Sequence, residues 1–366
     1  MTKILLPRSE VRRAIGNMII CGFDGTSITA ELRELLREVQ PLGIIQFSRN
    51  IESLEQICEF NRELKHFRKD EPLLCSVDQE GGRVARIREP ATIWPSMRQL
   101  GKLNDPKLVA SVAKAIAQEL RALNFDINYA PVLDVDSNPQ NPIIGDRSFS
   151  NNPQLVGKLA SAFIAGLQNG GIGGCGKHFP GHGDTDKDSH LELPFVDHNL
   201  TRLRELEWPP FHEAIKVGVG AIMTAHLIVV SLDEKHPATI STQVLKYLRN
   251  ELNFNGVILS DDIEMKALAD HFSIDEIATL GVNAGINVFL ACHEPAIVLE
   301  LYRALVLAVE NKKISHETLL YTGKRLQTWK QRFYQPATSW VQTKHLIGPT
   351  AHGALIDKIQ QLSLLV

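Results

Sequence analysis

The sequence has no feature that would place the protein in a membrane or on a nucleotide or nucleic acid. No apolar run in its 366 residues approaches the roughly 20 residues that a membrane-spanning helix needs. The first residues, MTKILLPRSEVRRAIG, carry charges where a signal peptide would have its apolar stretch, so we expect no export. The formal net charge of −3 gives no electrostatic attraction to nucleic acid or anionic lipid. No GxGxxG follows the first predicted strand and no GxxxxGKS/T occurs, so no nucleotide-binding loop is indicated.

The sequence is also poor in cysteine, and its cysteines form no recognisable framework. There are five of them, an odd number, and no CxxC pair occurs. We expect them to be reduced, buried small hydrophobic residues of a cytoplasmic protein. They are Cys21, Cys58, Cys75, Cys175 and Cys292.

Eight apolar runs alternate with amphipathic segments along most of the chain. The runs are continuous, as in parallel strands that are covered on both faces. We predict strands at 17–22, 42–47, 73–78, 125–130, 171–177, 220–226, 256–261 and 285–290. We predict helices at 29–39, 54–67, 106–123, 153–168, 202–216, 242–251, 274–280 and 296–310. This order predicts an α/β fold, a (β/α)8 TIM-type barrel, with a doubly wound open sheet as the structural alternative.

Polar residues that directly follow the predicted strands favour the barrel. In a barrel, the carboxyl ends of all strands meet at one face, which is where barrel enzymes carry out their chemistry. His226 lies in the apolar stretch MTAHLI and fits a hydrogen-bonded core histidine equally well, so we assign it no catalytic role. The polar residues at or directly after the ends of the predicted strands are Asp78, Asp134, Lys177, His178, His226 and Asp261.

The end of the sequence predicts a tail on a single-domain barrel. We expect the catalytic barrel to occupy residues 1–335, with a linker and a C-terminal helix at 336–366. Within the tail, 335–344 has the composition of a linker, and 351–364 has the pattern of an amphipathic helix. That helix can pack on the barrel or help to form a dimer, and it resembles the start of a connection to a further domain.

The stretch 177–194, KHFPGHGDTDKDSHLELP, is the strongest indication of chemistry. It contains three histidines, three aspartates and two glycines directly after a predicted buried strand. Histidine suits proton transfer at neutral pH, and a neighbouring carboxylate orients its ring and raises its basicity. Asp188 and His190 are close enough in sequence to form such a pair. A metal site remains the alternative, because His182, Asp184, Asp188 and His190 offer nitrogen and oxygen ligands.

Two other strand ends carry acids with possible roles. Asp261, in SDDIEM, is placed to act as a nucleophile or to stabilise positive charge, whereas Asp262 can cap the helix that follows. In the alternative reading, both are caps or surface charges. Asp78 begins DQEGGRVAR, where an acid with Arg83 and Arg86 suits a polyhydroxylated ligand. A local ion pair that stabilises the turn is the other possibility.

Four motifs together resemble those of the family 3 glycoside hydrolases. They are KHFPGHGDT with DSH, VDQEGGRV, GDRSF and SDDIEM, and their order and spacing agree with the family. Within it, the resemblance is to the bacterial β-N-acetylhexosaminidases (β-N-acetylglucosaminidases) of peptidoglycan recycling. It covers roughly residues 10–335.

The resemblance implies a retaining mechanism with Asp261 as the nucleophile and His190, paired with Asp188, as the general acid/base. The expected substrate is N-acetylglucosaminyl-β-1,4-anhydro-N-acetylmuramic acid, with or without its peptide. No metal and no organic cofactor are implied. The residues implied to hold N-acetylglucosamine in the first subsite are Asp78, Arg86, Arg147, Lys177 and His178.

Other functions remain open at the level of sequence. Some family members with a histidine acid/base are phosphorylases, and a broader β-glucosidase activity is a further possibility. A metal-dependent hydrolase or a sugar-binding barrel without catalysis belongs to other classes. For partners, we expect the sugar substrate, no nucleic acid, no membrane, and a monomer or weak homodimer.

Overall fold

The computed structural model describes residues 6–185 and 192–365. Within these residues, eight parallel strands close into a barrel in the order β1, β2, β3, β4, β5, β7, β9, β10 and back to β1. A separate two-stranded sheet joins β6 to β8. The strands are β1 (Ile19–Cys21), β2 (Gly43–Gln46), β3 (Leu74–Val77), β4 (Ile127–Asn128), β5 (Gly173–Phe179), β6 (Phe195–Val196), β7 (Ala221–Thr224), β8 (Ile228–Val229), β9 (Val257–Asp262) and β10 (Val288–Ala291).

Helices surround the barrel and cover the outer faces of its strands. The predicted TIM-type barrel is therefore confirmed, and each of the eight predicted strands overlaps one strand of the barrel. The helices are α1 (Arg8–Gly16), α2 (Ala30–Val39), α3 (Leu54–Phe67), α4 (Met97–Leu103), α5 (Pro106–Ala122), α6 (Pro153–Asn169), α7 (Leu200–Arg202), α8 (Pro209–Lys216), α9 (Thr242–Lys246), α10 (Lys266–Ala269), α11 (Ile274–Ala284), α12 (Pro295–Glu310), α13 (His316–Phe333), α14 (Trp340–Thr343) and α15 (Thr350–Ser363).

The helices differ from the prediction in two ways. The predicted helices 202–216 and 242–251 are not α-helical throughout. In each, the α-helix (α7 or α9) continues as a π-helical turn, Leu203–Glu207 or Tyr247–Glu251. In addition, α1, α4, α10, α13 and α14 were not predicted, and α14 lies within the predicted linker 335–344. No helix in the described part of the chain is long and apolar enough to cross a membrane.

Residues 335–365 run back over the outside of the barrel. The amide of Trp340 donates a hydrogen bond to Glu59 of α3 at 2.8 Å, and the hydroxyl of Thr343 donates one to the carbonyl of Ala122 at 2.8 Å. On α15, the ring of His352 lies 2.9 Å from the carboxylate of Glu119. The tail is thus hydrogen-bonded to helices of the barrel at several points.

The carboxyl ends of the barrel strands bring distant polar residues to one face. Asp78 directly follows β3, Lys177 and His178 lie near the end of β5, and Asp261 lies near the end of β9. Together with apolar residues of neighbouring strands, such as Met223 and Leu290, these residues line an open cavity. This face carries the site described below.

Candidate active site

A cavity of about 330 Å³ opens at the carboxyl face of the barrel. Every described residue among the predicted catalytic and sugar-binding residues lines it. Residues from the carboxyl ends of four strands, or from the loops that follow them, therefore meet in one place, although they are far apart in the sequence. The predicted residues in the wall of the cavity are Asp78, Arg86, Arg147, Lys177, His178 and Asp261.

Two acidic side chains, Asp78 and Glu80, and two basic side chains, Arg147 and Lys177, form a network on one wall of the cavity. The ammonium of Lys177 lies 2.7 Å from Oδ1 of Asp78 and 2.8 Å from Oε1 of Glu80. Arg147 donates two parallel hydrogen bonds to Glu80, from Nε at 2.9 Å and from Nη2 at 2.8 Å. Burial alone would raise the pKa of Glu80, but Arg147 and Lys177 outweigh it and hold that pKa well below its usual range.

The same network keeps its lysine charged. Burial opposes the charge on Lys177, yet Asp78 and Glu80 raise its pKa above the ordinary value. Because Glu80 and Lys177 are both buried, the surrounding residues hold their side chains in place. The wall can therefore present fixed hydrogen-bonding groups to a polar ligand.

Asp261 is the carboxylate placed to act as a nucleophile. Its Oδ1 accepts a hydrogen bond from the amide of Asp262 at 2.8 Å. Burial would raise its pKa, but nearby His178 and His226 more than offset this, so the pKa lies below its ordinary value. Asp261 is consequently ionised at neutral pH and can attack an electrophilic carbon.

Asp134 orients the histidine wall of the cavity. Its buried carboxylate lies 2.7 Å from Nδ1 of His178 and accepts the amide of His182, also at 2.7 Å. The rings of His178 and His182 meet edge to face with centroids 6.0 Å apart. Burial, followed by the proximity of His178, lowers the pKa of His182 to about 4, so His182 is neutral at pH 7.

A group of aromatic and cationic side chains, from Phe47, Arg86 and His293, also lines the cavity. Arg86 sits with its guanidinium 5.7 Å from the centre of the Phe47 ring, and His293 stacks on the same ring at 5.8 Å. No described residue accepts a hydrogen bond from Nε of Arg86, although this atom is buried. Arg86 thus keeps an unused donor beside the cavity. His293 lies 3.3 Å from Asp262, which raises its pKa.

The local ion pair considered for DQEGGRVAR is not present. Arg83 pairs with Asp146 at 2.9 Å, and Asp78 pairs with Lys177 instead. The partner of Asp78 thus comes from a strand that is remote in sequence.

Two other expectations concern Asp262 and His226. Asp262 also lines the cavity, and it accepts the amides of Glu264 and Cys292, each at 3.2 Å, so it supports the turn after β9. It does not cap the following helix α10, whose N-cap is Met265. His226 is completely buried, and its ring nitrogens lie 2.7 Å from Thr239 and 2.8 Å from the carbonyl of Asp262. It has the surroundings of a hydrogen-bonded core histidine.

The predicted acid/base pair, Asp188 and His190, lies outside the described residues. Of the other ligands considered for a metal, Asp184 is hydrogen-bonded to His198 and Arg202, and His182 lies 2.7 Å from the hydroxyl of Thr185. Within residues 6–185 and 192–365, no three His, Cys, Asp or Glu side chains are grouped as metal ligands would be.

Sequence reasoning missed three residues of the site. Glu80 lies in the VDQEGGRV motif but received no role, Asp134 was noted only as a polar residue after a strand, and His293 was not considered. All three follow strands, so position alone could have identified them as candidates. Their partners could not be identified, because these come from other strands.

The chain is similar to known proteins of one enzyme family. Residues 10–328 match the model of the glycosyl hydrolase family 3 N-terminal domain. A β-hexosaminidase from Nitrosomonas eutropha is 40% identical over 302 residues, which cover 80% of this chain and 86% of that protein.

Two solved structures are similar over almost the whole chain. One is a glycoside hydrolase family 3 β-N-acetylglucosaminidase from a Paenibacillus species, with a TM-score of 0.90 and 36% identity over 96% of this chain and 68% of that one. The other is NagZ from Neisseria gonorrhoeae in complex with N-trifluoroacetyl-D-glucosamine. Its TM-score is 0.79 and its identity 32%, over 95% of this chain and 98% of that one.

Proposed function

The chain belongs to glycosyl hydrolase family 3 and is a glycoside hydrolase of the β-N-acetylhexosaminidase type, and we propose that it removes terminal N-acetylglucosamine with retention of configuration. The proposed substrate is N-acetylglucosaminyl-β-1,4-anhydro-N-acetylmuramic acid, with or without its peptide. We place the reaction in the cytoplasm, within peptidoglycan recycling. The proposal needs no metal and no organic cofactor.

One observation supports the proposal above the others. An ionised carboxylate, Asp261, faces the same cavity as a preorganised network of acids and bases. Retaining hydrolysis needs a carboxylate that attacks the anomeric carbon while other groups hold the sugar hydroxyls in place. The Lys177 and Arg147 network supplies such groups, and the guanidinium of Arg86, which lines the same cavity, adds further donors.

In the first step of the proposed mechanism, Asp261 attacks the anomeric carbon and forms a covalent glycosyl ester. The bond from that carbon to the leaving oxygen breaks, and His190 donates its proton to this oxygen. In the second step, His190 takes a proton from water, which attacks the anomeric carbon and releases Asp261. Asp188 orients the ring of His190 and stabilises its charged form.

The experiment that tests this proposal compares the wild type with Asp261→Ala and His190→Ala on 4-nitrophenyl N-acetyl-β-glucosaminide. Asp270→Ala, which changes an exposed aspartate at the end of α10, is the matched control. We expect Asp261→Ala to abolish turnover and His190→Ala to reduce it by about 10²–10⁴-fold, the usual contribution of acid/base catalysis. The control should behave as the wild type does.

Three further measurements separate this proposal from the alternatives. NMR of the first product formed should show the β anomer, whereas an α anomer would contradict retention. Added phosphate should leave the rate unchanged, because a large acceleration would indicate a phosphorylase. The natural disaccharide should be cleaved, and full activity of Asp261→Ala on it would refute the assigned nucleophile.

A further inference from the structure

The carboxylate of Glu119 connects the tail of the chain to the loop that carries Arg86. Glu119 lies on α5 and is only 3% exposed. From the tail, the amide of Gly348 donates a hydrogen bond to its Oε1 at 3.0 Å, and Nδ1 of His352 lies 2.9 Å from the same atom. From the loop, the hydroxyl of Thr92 donates to Oε1 at 2.6 Å, and the amide of Thr92 donates to Oε2 at 3.2 Å. One buried carboxylate thus joins two segments that are about 260 residues apart in the sequence.

The tail also contacts this loop directly. The rings of Trp94 and His352 lie with their centroids 5.5 Å apart, and both side chains are buried. A Cβ atom at Gly348 would lie 2.5 Å from the carbonyl oxygen of Pro90, so the two backbones are in contact there. Polar and apolar contacts together therefore hold residues 90–94 against the tail.

Hydrogen bonds within the loop extend this constraint to Arg86. The amide of Gly82 donates to the carbonyl of Trp94 at 2.9 Å and closes the loop. Inside it, the buried side chain of Gln79 accepts the amides of Arg86 at 2.8 Å and Ile87 at 3.0 Å, and it donates to the carbonyl of Ile87 at 3.0 Å. The backbone of Arg86 is thus held by the loop, while its side chain lines the cavity.

We propose that Glu119 and His352 are positioning residues, which act through residues 86–94 to set where the guanidinium of Arg86 lies in the cavity. In this way the tail completes the sugar-binding wall, although none of its described residues lines the cavity. The inference rests on the proposed function, because it takes Arg86 as a sugar-binding residue. A misplacement of about 1 Å that originates far from the chemistry can cost roughly 10²-fold in rate.

The test compares His352→Leu with the wild type on 4-nitrophenyl N-acetyl-β-glucosaminide. Leucine is apolar and has no donor for Glu119, whereas the amide of His352→Asn can donate from nearly the same place as Nδ1. His345→Leu, at an exposed position of the same tail, is the matched control. We expect kcat/KM to fall by about 10-fold for His352→Leu, to recover most of this loss in His352→Asn and to stay unchanged in the control.

A double-mutant cycle with Arg86→Met shows whether the loss acts through Arg86. Arg86→Met should itself lower kcat/KM by about 10-fold or more, because it removes charged hydrogen-bond donors. In that background, His352→Leu should add less than about 2-fold, since the group that it misplaces is absent. Its effect on the free energy of unfolding should be the same in both backgrounds, because the bonds to Glu119 do not involve Arg86. A full 10-fold loss of kcat/KM in both backgrounds would mean that His352 only maintains the structure, and it would overturn the proposal.

A second variant tests the same connection and leaves His352 in place. The Cβ of Gly348→Ala would press on the carbonyl of Pro90, so kcat/KM should fall, and this loss should also disappear in the Arg86→Met background. Gly353→Ala is the matched control, because a Cβ there would meet nothing within 4 Å. Thermal unfolding establishes that each variant is folded. Unchanged kcat/KM for both His352→Leu and Gly348→Ala would refute the positioning role.

Hydrogen exchange on the whole chain tests the inference independently of activity. In His352→Leu, the amide of Thr92 should exchange faster, and so should the amides of Arg86 and Ile87. Faster exchange at Thr92 alone would mean that the constraint ends before Arg86, and the inference would fail. If the wild type does not cleave the substrate, the proposed function fails, and exchange still shows whether the tail positions Arg86. If Arg86→Met keeps the kcat/KM of the wild type, Arg86 does not bind the sugar, and the inference fails with that assignment.

Discussion

Replacing Lys177 by Met should destabilise the protein strongly while leaving the packing of the barrel in place. The variant loses contacts of 2.7 Å to Asp78 and 2.8 Å to Glu80, so Asp78 loses its ion pair and Glu80 keeps only the guanidinium of Arg147. Removing one partner of a buried ion pair costs about 3–5 kcal/mol. Because Glu80 keeps both bonds to Arg147 and Asp78 is close to solvent, we expect a value near the lower limit, about 3 kcal/mol.

Urea unfolding, followed by fluorescence and circular dichroism, measures this change. Lys158→Met is the matched control, because Lys158 is exposed and donates one hydrogen bond to Asn104; we expect a change within about 0.5 kcal/mol. A free energy of unfolding for Lys177→Met within that same range of the wild type, with an unchanged slope, would refute the reasoning.

The pH dependence of the same measurement gives an independent check. The depressed pKa of Glu80 contributes stability that is complete above the ordinary value of 4.5 and is lost as the pH falls towards the lower native value. Lys177 is one of the two cations responsible for this depression. The gap in stability between Lys177→Met and the wild type should therefore be widest at neutral pH and narrow in acid.

Two further predictions concern backbone contact and the nucleophile. Gly183→Ala should lower the free energy of unfolding by more than about 2 kcal/mol, because its Cβ would overlap the carbonyl of Val135; Gly323→Ala, on an open helix face, should be neutral or raise it by up to about 1 kcal/mol. His178→Gln should move the acid limb of kcat/KM to higher pH, because His178 helps to lower the pKa of Asp261. An unchanged acid limb would show that another group controls it.

The barrel could be predicted because its strands are covered on both faces. Runs such as Leu74–Val77 are buried at every position and are mostly apolar, and their regular spacing leaves room for a helix after each one. The helix Met97–Leu103 escaped prediction, since it is only two turns long and contains Gly101. That glycine does not end the helix; it allows contact with Phe149, whose carbonyl oxygen would lie 1.8 Å from a Cβ atom.

The long helix His316–Phe333 was missed for a different reason. Its buried positions, including Leu319, Leu326 and Phe333, follow the spacing of one helix face, but most of its other residues are polar. A narrow apolar stripe on a polar helix gives a weak signal when neighbouring segments are more hydrophobic. The helical spacing of the apolar residues was present in the sequence, but the polar composition of the segment made it less conspicuous than its neighbours.

The members of the site could be predicted, but their partners could not. Position after a strand identified Asp78 and Lys177, whereas the bond between them joins residues 99 apart in sequence. Such a pair depends on the order and register of the strands around the barrel. Neither can be predicted from the spacing of residues in the sequence. For the same reason, the role of Glu80 could not be predicted, because its partner Arg147 lies 67 residues away in the sequence.

The charges around the cavity have a consequence for what can bind. Its wall contains four carboxylates and four permanent cations, with the histidines left aside. Half of these charges, on Asp78, Glu80, Arg147 and Lys177, are paired with one another, and the two signs are equal in number, so the cavity has little net field to attract a charged ligand. Recognition must then come from directional hydrogen bonds, which suits the hydroxyl and amide groups of a neutral amino sugar. In such surroundings, the negative charge of Asp261 can stabilise the positive charge that develops at the anomeric carbon. A cavity with a net positive field would destabilise that positive charge and cancel this contribution.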